Sequence, residues 1–198
     1  MQIAIKAVVC VSLLFVSGSC SSSVARQEKE VSSTITKTKA GETILTQDIW
    51  INAPVKDVWA AFTTGAGWIR WSAPVAEIDL KVGGTIKSHY TANAKIGDEG
   101  TITLHILNYV PERLLTIRAE LQDNWPEVMK VDHEKLMNVL VFEKVNENRT
   151  HVISYGLGYG DAPIYQKLLK FFGPANEGLY KKLKAVLEKD AGKKAKNK

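Results

Sequence analysis

The chain has 198 residues, of which 45% are hydrophobic and 24% are charged, a balance that is ordinary for one globular domain with additional segments. The net charge of +5 is carried partly by the C-terminal lysines of GKKAKNK, and the nearly balanced remainder gives no indication of a nucleic-acid groove. Both cysteines, Cys10 and Cys20, precede the predicted domain, which excludes a disulfide, a thiol nucleophile and a thiolate metal site there.

The first residues predict a targeting segment. Lys6 is followed by AVVCVSLLFV, an apolar run with the length of a signal-peptide core and too short to span a bilayer. Two processing sites are open. The small residues of SVA allow cleavage before Arg26, whereas SGSC resembles a bacterial lipobox in which Cys20 is lipidated. The second pattern departs from the lipobox at Ser17, where that motif prefers an aliphatic residue.

These features divide the chain into four parts. Residues 1–20 are predicted to be a signal peptide, with cleavage after Ala25 as the alternative. Residues 21–42 lack an apolar period and predict a flexible linker, and residues 191–198 predict a disordered basic tail. The domain is expected over residues 43–190. The protein is predicted to be exported, either to a bacterial periplasm or as a membrane-anchored lipoprotein. Alternatively it is secreted.

The domain opens with a strand and a helix. Apolar and polar residues alternate in ETILTQDIWINA, which is typical of a half-buried strand. A helix is then predicted to begin near Pro54, with Val58, Trp59 and Phe62 at helical spacing in PVKDVWAAF. Glycines end that helix, and a short helical turn follows in WIRW.

The middle of the chain predicts paired strands. Two strands flank the Gly83–Gly84 turn in EIDLKVGGTIKSHYTA, and two more flank Pro111 in GTITLHILNYVPERLLTIRAEL. NWPEVMKVDHEKLM predicts a loop with one helical turn. A hairpin with its turn at NENR is predicted from MNVLVFEKVNENRTHVISYGLGYG.

The C-terminal region predicts helix in two pieces. DAPIYQKLLKFFG predicts a short helix or flap that Gly173–Pro174 interrupts, and a long helix follows. Leu179, Leu183, Val186 and Leu187 form its apolar stripe, and Lys181, Lys182 and Lys184 its solvent side. We therefore predict an α+β fold, in which a curved antiparallel sheet of about six to seven strands wraps around the long C-terminal helix, with one or two short helices after the first strand.

The order of several short motifs is similar to that of the START-like helix-grip superfamily, also called SRPBCC, and specifically to its Hsp-90 ATPase activator homologue branch. The matching residues are Ala53-Pro54, Val58-Trp59, Trp71, Asp79-Leu80, Gly83-Gly84, Gly100, Pro111-Glu112-Arg113-Leu114 and Gly158-Tyr159. The resemblance covers about residues 43–190 and implies a hydrophobic cavity between the sheet and the long helix. It implies no single activity, since members include lipid and hormone carriers, aromatic cyclases and chaperone-ATPase activators.

Aromatic residues are the candidates for the wall of that cavity. Trp59 shares a helix face with apolar residues and is expected in the core. Trp68 and Trp71 follow glycines in a connecting segment, and either core packing or ligand contact fits them. The predicted ligand-binding residues are Trp68, Trp71, Tyr90, Tyr159 and Phe172.

The sequence contains no motif for a cofactor or for metal-dependent chemistry. The four histidines lack the spacing of a helical metal site, and the Asp132–Glu134 cluster is expected to be a solvated loop. A nucleophile elbow, a phosphate-binding loop and a dinucleotide fingerprint are all missing. Acid–base catalysis needs no linear motif, and its polar candidates are Tyr90, Tyr155, Tyr159 and Glu143.

The sequence favours an exported domain that binds a small hydrophobic or lipid-like molecule, attached to a membrane if Cys20 is lipidated. Two alternatives stay open. One is an enzyme, such as a cyclase, isomerase or hydrolase, acting on an apolar substrate in the same cavity. The other is an envelope protein-interaction domain with an exposed apolar patch. No nucleic-acid partner and no cofactor are predicted.

Overall fold

The computed structural model describes residues 30–122 and 125–196. The predicted signal segment and Cys20 lie outside the described residues. Eight antiparallel strands form one sheet in the order β1-β2-β8-β7-β6-β5-β4-β3. The strands are β1 Val31–Lys37, β2 Thr43–Ile51, β3 Val75–Ile78, β4 Thr85–His89, β5 Ile102–Val110, β6 Leu114–Ala119, β7 Met137–Asn146 and β8 Arg149–Tyr159. The helices are α1 Val55–Thr63, α2 Gly65–Trp68, α3 Glu127–Val131 and α4 Pro163–Lys196.

This architecture confirms the predicted α+β helix-grip class, with eight strands instead of six to seven. Strand β2 shows why the alternation was informative, because every second residue from Thr43 to Ile51 is buried. Ile49 and Ile51 are fully buried in the core that α4 covers, together with Leu183 of that helix. No helix in the described part of the chain is long and apolar enough to cross a bilayer.

The linker prediction is wrong for Val31–Lys37, which forms β1 at the edge of the sheet. Each residue of β1 pairs with a residue of β2, from Val31 opposite Ile49 onward. Val31 is buried at 3% exposure, Ser32 and Ser33 are half-buried, and the strand is exposed from Thr34 onward. Threonine and valine suit a strand, and an edge strand with solvent on most of its side chains needs no apolar period. The other predicted boundaries between signal segment, domain and tail stay predictions.

The predicted break at Gly173–Pro174 is also wrong, because α4 is one helix with Pro174 inside it. Proline cannot donate a backbone hydrogen bond to Lys170, so the helix is weakened locally. The buried side chain of Gln47 ties this part of α4 to the sheet by donating to the Gly173 carbonyl at 3.2 Å. Asn176, one turn further on, donates to Gln47 Oε1 at 3.0 Å. Long-range hydrogen bonds therefore support the helix at its weakest point.

The C-terminal half of α4 differs from expectation in two further ways. The helix continues to Lys196, so most of the segment predicted as a disordered tail is helical. Lys184, predicted on the solvent side, is 8% exposed. Its ammonium group forms an ion pair with Glu188 and lies 3.3 Å from Glu30 Oε1. Because its charge is paired, Lys184 can be buried beside the apolar stripe.

Helix α1 packs an aromatic cluster against the sheet. The rings of Trp59 and Phe62 each meet Phe142 of β7 edge-on, with centroids 5.2 and 5.3 Å apart. Such geometry is favourable for aromatic pairs. The prediction that Trp59 belongs to the core is confirmed.

Candidate functional site

A cavity of about 250 Å³, which we call the aromatic cavity, lies between the sheet, the α3 region and α4. Strands β5 to β8 form one wall, α4 forms the opposite wall, and the segments after α2 and around α3 close the sides. The lining residues are Trp68, Trp71, Ser72, Tyr90, Leu104, Ile117, Ala119, Leu121, Trp125, Met129, Leu136, Met137, Asn138, Leu157, Tyr159, Phe172, Asn176, Leu179 and Tyr180.

The structure brings all five predicted ligand-binding residues to this one cavity: Trp68, Trp71, Tyr90, Tyr159 and Phe172. They come from separate parts of the chain, so their convergence is a product of the fold. Tyr90 is 57% exposed and belongs to the solvent-facing part of the lining. Ligand contact by these residues stays a prediction.

Trp68 and Trp71 serve both the core and the cavity wall. Their rings lie 5.0 Å apart, and they are 6% and 3% exposed. The indole of Trp71 donates to the Ala61 carbonyl at 2.9 Å and stacks on Tyr180 of α4. The Trp68 indole N–H is buried without a hydrogen-bond partner among the described residues. Replacing both residues with alanine would therefore damage packing as well as the cavity.

Sequence reasoning missed the polar part of the lining. Asn138 lies on the inward face of β7, and its amide donates to Ser154 Oγ at 3.2 Å. Asn176 points its amide to Gln47, and Tyr180 lies beside Ser154, with which it forms a hydrogen bond. The signal that could have found Asn138 is its alternation with Leu140 and Phe142, which puts a polar residue on a core-facing position.

Two tyrosines of the cavity, Tyr159 and Tyr180, are held in the neutral form. Burial, with a smaller contribution from Tyr180, raises the pKa of Tyr159 to about 12. Burial also raises the pKa of Tyr180, although the hydrogen bond with Ser154 opposes this. None of the described lining residues is Asp, Glu, His, Lys or Arg. At neutral pH the described wall therefore offers phenol and amide hydrogen bonds without a formal charge.

The Asp132–Glu134 cluster lies in a turn after α3, where Glu134 is exposed as predicted, and it also anchors the wall around α3. Arg118 Nη1 donates to Glu134 Oε2 at 2.5 Å, and its Nη2 donates to the Glu134 carbonyl at 2.8 Å. The Tyr165 hydroxyl donates to Asp132 Oδ2 at 2.8 Å. Hydrogen bonds from Lys135 and Tyr165 lower the pKa of Asp132. These contacts fix the segment that carries Met129 to the sheet and to α4.

Gly158 permits the closest approach in this region. Its φ of +86° lies in the left-handed region, and a Cβ placed there would be 2.2 Å from the Lys135 carbonyl oxygen. Only glycine therefore allows the end of β8 to lie against the chain that leads into β7.

The remaining polar candidates lie elsewhere. Tyr155 and Glu143 do not line the cavity, and Glu143 instead lies 3.1 Å from His151 Nδ1. His89 is buried and bonded to the Glu99 carbonyl at 2.9 Å, so it packs beneath a loop. Over residues 30–122 and 125–196, no group of three or more His, Cys, Asp or Glu side chains could hold a metal ion.

A second cavity of about 260 Å³ lies between α1, α2 and the C-terminal part of α4. Its charged residues are paired with one another. Lys194 donates to Asp57 at 2.8 Å, and Arg70 pairs with Asp190. Because these charges neutralise each other, this cavity is a less distinctive site than the aromatic one.

Comparison of the chain with known protein families agrees with the motif order and the helix-grip geometry. The family described as "Activator of Hsp90 ATPase homolog 1-like protein" matches residues 52–188. The chain belongs to this family. The matched region contains α1, strands β3 to β8 and most of α4, and therefore the whole described lining of the aromatic cavity. A search of curated proteins found no match.

Solved structures share the fold of this family member at low sequence identity. CalU16 from Micromonospora echinospora is 20% identical, with 81% of this chain and 84% of that chain covered and a TM-score of 0.56. The Aha1 dimer from Colwellia psychrerythraea is 18% identical, with 73% and 96% covered and a TM-score of 0.55. Protein NE0264 from Nitrosomonas europaea is 18% identical, with 75% and 96% covered and a TM-score of 0.56. These similarities show the fold alone.

Proposed function

We propose that the protein binds an uncharged, predominantly apolar small molecule in the aromatic cavity. The observation that carries this proposal is the described lining itself, which combines aromatic, methionine and aliphatic side chains with a few amide and hydroxyl groups and no formal charge. Pockets of this composition gain affinity from apolar burial and orientation from a few polar contacts.

The free energies of apolar burial and of charge desolvation favour a neutral ligand. A molecule that buries about 300 Å² of apolar surface gains roughly 7 kcal/mol, which corresponds to a Kd on the order of 10 µM before losses of motion are subtracted. A charged group would lose its hydration without meeting an opposite charge in the described wall, and this costs several kcal/mol. The cavity therefore discriminates by charge as well as by shape.

Two asparagines are positioned to orient the polar end of such a ligand. Asn138 uses its NH₂ group on Ser154, and Asn176 uses its NH₂ group on Gln47. Neither carbonyl oxygen, Oδ1, has a hydrogen-bond partner among the described residues. Both amides can thus accept a hydrogen bond from a hydroxyl or N–H group of the ligand.

Binding is better supported by this chemistry than acid–base catalysis in the same cavity. The titratable groups of the described lining are tyrosines, and burial keeps Tyr159 and Tyr180 protonated at neutral pH. A neutral phenol donates a hydrogen bond readily but is a poor general base at that pH. The function that the geometry supports best is therefore the binding of a ligand rather than its conversion.

The charge discrimination can be tested with two dyes that share an aromatic frame. N-phenyl-1-naphthylamine is neutral, and 1-anilinonaphthalene-8-sulfonate adds one sulfonate. In fluorescence titrations we expect saturable binding of the neutral dye and at least about tenfold weaker binding of the sulfonate in the cavity. Equal affinities, or tighter binding of the sulfonate, would contradict the proposal.

A cavity-filling variant locates the bound dye. Ala119→Phe introduces a ring into the cavity wall, and Ala185→Phe adds the same ring at an exposed position of α4. We expect the first variant to raise the Kd of the neutral dye at least about tenfold because the space is taken. The second should leave the Kd unchanged. Equal behaviour of the two variants would place the dye elsewhere.

We also propose that the protein is exported and lipidated at Cys20. The apolar run, the small residues after it and the serine-rich stretch that follows Cys20 support this. Mass spectrometry of the mature chain, expressed with its own N-terminus in a bacterium, tests it. A diacylglyceryl mass on Cys20 that is lost in Cys20→Ala is expected, whereas an unmodified chain beginning at Arg26 would contradict lipidation and support secretion.

A further inference from the structure

The solvent-exposed side of α4 carries positive charge and no negative charge among its described residues. Its exposed residues are either lysines or uncharged. The uncharged ones are Pro163, Gln166, Phe171, Pro174, Ala175, Gly178, Ala185 and Gly192. The basic face of α4 is defined by Lys167, Lys170, Lys181, Lys182, Lys189, Lys193 and Lys196. At 100° per residue these lysines fall within about 140° of the helix circumference, so they share one side.

Most of this charge is not neutralised within the described part of the chain. Lys181 has a partner in Glu177, at 3.8 Å. The described structure shows no ion pair for Lys167, Lys170, Lys182, Lys189 or Lys193. The acidic residues at the margin of this side are engaged elsewhere, since Glu188 pairs with Lys184 and Asp190 with Arg70. The basic face therefore has a positive potential that an external anionic surface can satisfy.

An exposed aromatic ring lies at the N-terminal end of this face. Phe171 is 65% exposed and follows directly after Lys170. Its ring contacts that of Phe172 with centroids 5.3 Å apart, and Phe172 lines the aromatic cavity. Leu168, on the same turn, is partly exposed. Lysines beside an exposed phenylalanine are typical of helices that lie in a membrane interface.

We propose that the basic face of α4 docks on an anionic lipid bilayer, with Phe171 entering the headgroup boundary. Lysine ammonium groups attract anionic headgroups, and the phenylalanine contributes an apolar contact that a nucleic-acid backbone would not reward. This orientation places Phe172 and the adjoining cavity beside the bilayer. The docking does not require an occupied cavity, so its test is independent of ligand binding.

Vesicle co-sedimentation of the full-length protein tests the proposal. Phosphatidylcholine vesicles with and without phosphatidylglycerol separate docking by α4 from association through the N-terminal apolar segment, which needs no anionic lipid. We expect binding to increase with phosphatidylglycerol and to weaken as salt is raised. Equal binding to both kinds of vesicle would overturn the proposal.

A pair of charge-matched variants assigns the surface. One replaces Lys167, Lys170, Lys182 and Lys189 with Gln, and the other replaces the exposed lysines Lys39, Lys56, Lys95 and Lys144 with Gln. The α4 variant should lose about fivefold in affinity for each lysine, since each contributes that factor near an anionic surface. The second set changes the net charge equally and should lose far less. Equal losses would overturn the proposal.

Phe171→Ala tests the apolar contact with the bilayer. A DNA duplex tests whether the partner is a nucleic acid instead of a lipid. Affinity for the anionic vesicles should fall about tenfold in Phe171→Ala, and Val82→Ala, which shortens another exposed apolar residue, should have no effect. Circular dichroism confirms that each variant is folded. A short DNA duplex that binds more tightly than the vesicles, and depends on the α4 lysines but not on Phe171, would replace lipid as the partner.

Discussion

Gln47 shows how a single buried polar residue can hold three elements together. It is 1% exposed on the core face of β2. Its amide nitrogen donates to Ser33 of β1 at 2.9 Å and to the Gly173 carbonyl of α4 at 3.2 Å, while its oxygen accepts from Asn176. A buried amide is stable when both of its ends are hydrogen-bonded, as they are here. Gln47 thus connects the edge strand and the proline-containing part of α4 to the sheet.

We predict that Gln47→Leu lowers the free energy of unfolding by about 2–3 kcal/mol. The substitution keeps the volume similar but leaves the Asn176 amide, next to the cavity, without its partner. Urea unfolding followed by circular dichroism measures the change. Gln166→Leu, at an exposed position of α4, is the control and should stay within about 0.5 kcal/mol of wild type. Equal effects of both substitutions would show that the buried network contributes nothing.

Tyr159 gives the cavity a measurable dependence on alkaline pH. Its folded-state pKa of about 12 lies above the value near 10 of an unfolded tyrosine. The stabilisation from its burial is therefore complete below pH 10 and is lost as the pH rises towards 12. We expect Tyr159→Phe to reduce the fall in unfolding free energy between pH 10 and 12 by about 2 kcal/mol. Tyr90→Phe, at an exposed position, is the control, and an identical pH profile for both variants would contradict the assignment.

At the scale of elements, glycines mark where α4 is weak and where β8 is constrained. Gly178 lies inside α4, and a Cβ there would have nothing within 4 Å. Gly158 has a positive φ and would force a Cβ into the Lys135 carbonyl. The same substitution should therefore have opposite effects at the two positions.

We predict that Gly178→Ala stabilises the protein by about 0.5–1 kcal/mol, because alanine restricts the unfolded chain and favours the helix. Gly158→Ala should destabilise it by more than about 2 kcal/mol, through backbone strain and the steric clash. Thermal and urea unfolding measure both changes. A destabilising Gly178→Ala would mean that α4 needs its flexibility, and a neutral Gly158→Ala would contradict the described approach of β8.

The elements that sequence predicted well are those whose signal is local. Alternation in β2 and the NENR turn between β7 and β8 follow from neighbouring residues. Strand β1 was missed because an edge strand of half-buried serines and exposed threonines has no apolar alternation. The continuity of α4 was missed because the hydrogen bond that supports it comes from Gln47, which is 126 positions away in the chain. No local rule contains that partner.

For the whole molecule, the helix-grip arrangement explains both the success and the limit of predicting the site. Aromatic residues next to glycines, such as Trp68 after Gly67 and Phe172 before Gly173, could be predicted from the sequence as candidates for the cavity wall. Asn138 carries a local signal, a polar residue in step with Leu140 and Phe142, but that signal does not show that it faces a cavity. Tyr180 carries no such signal, because it lies in an apolar pattern that also fills ordinary cores. Whether such a position meets another side chain or empty space depends on the separation of α4 from the sheet, which is a tertiary property.

The most direct test of the central claim is methyl NMR of protein labelled with ¹³C at the methionine ε-methyl groups, titrated with N-phenyl-1-naphthylamine. Met129 in α3 and Met137 at the start of β7 both line the cavity. If a neutral apolar molecule binds there, ring currents of the dye will shift both signals saturably in wild type, and the shifts will be lost in Ala119→Phe. Fluorescence saturation with both methionine signals unmoved would contradict the claim that this cavity is the binding site.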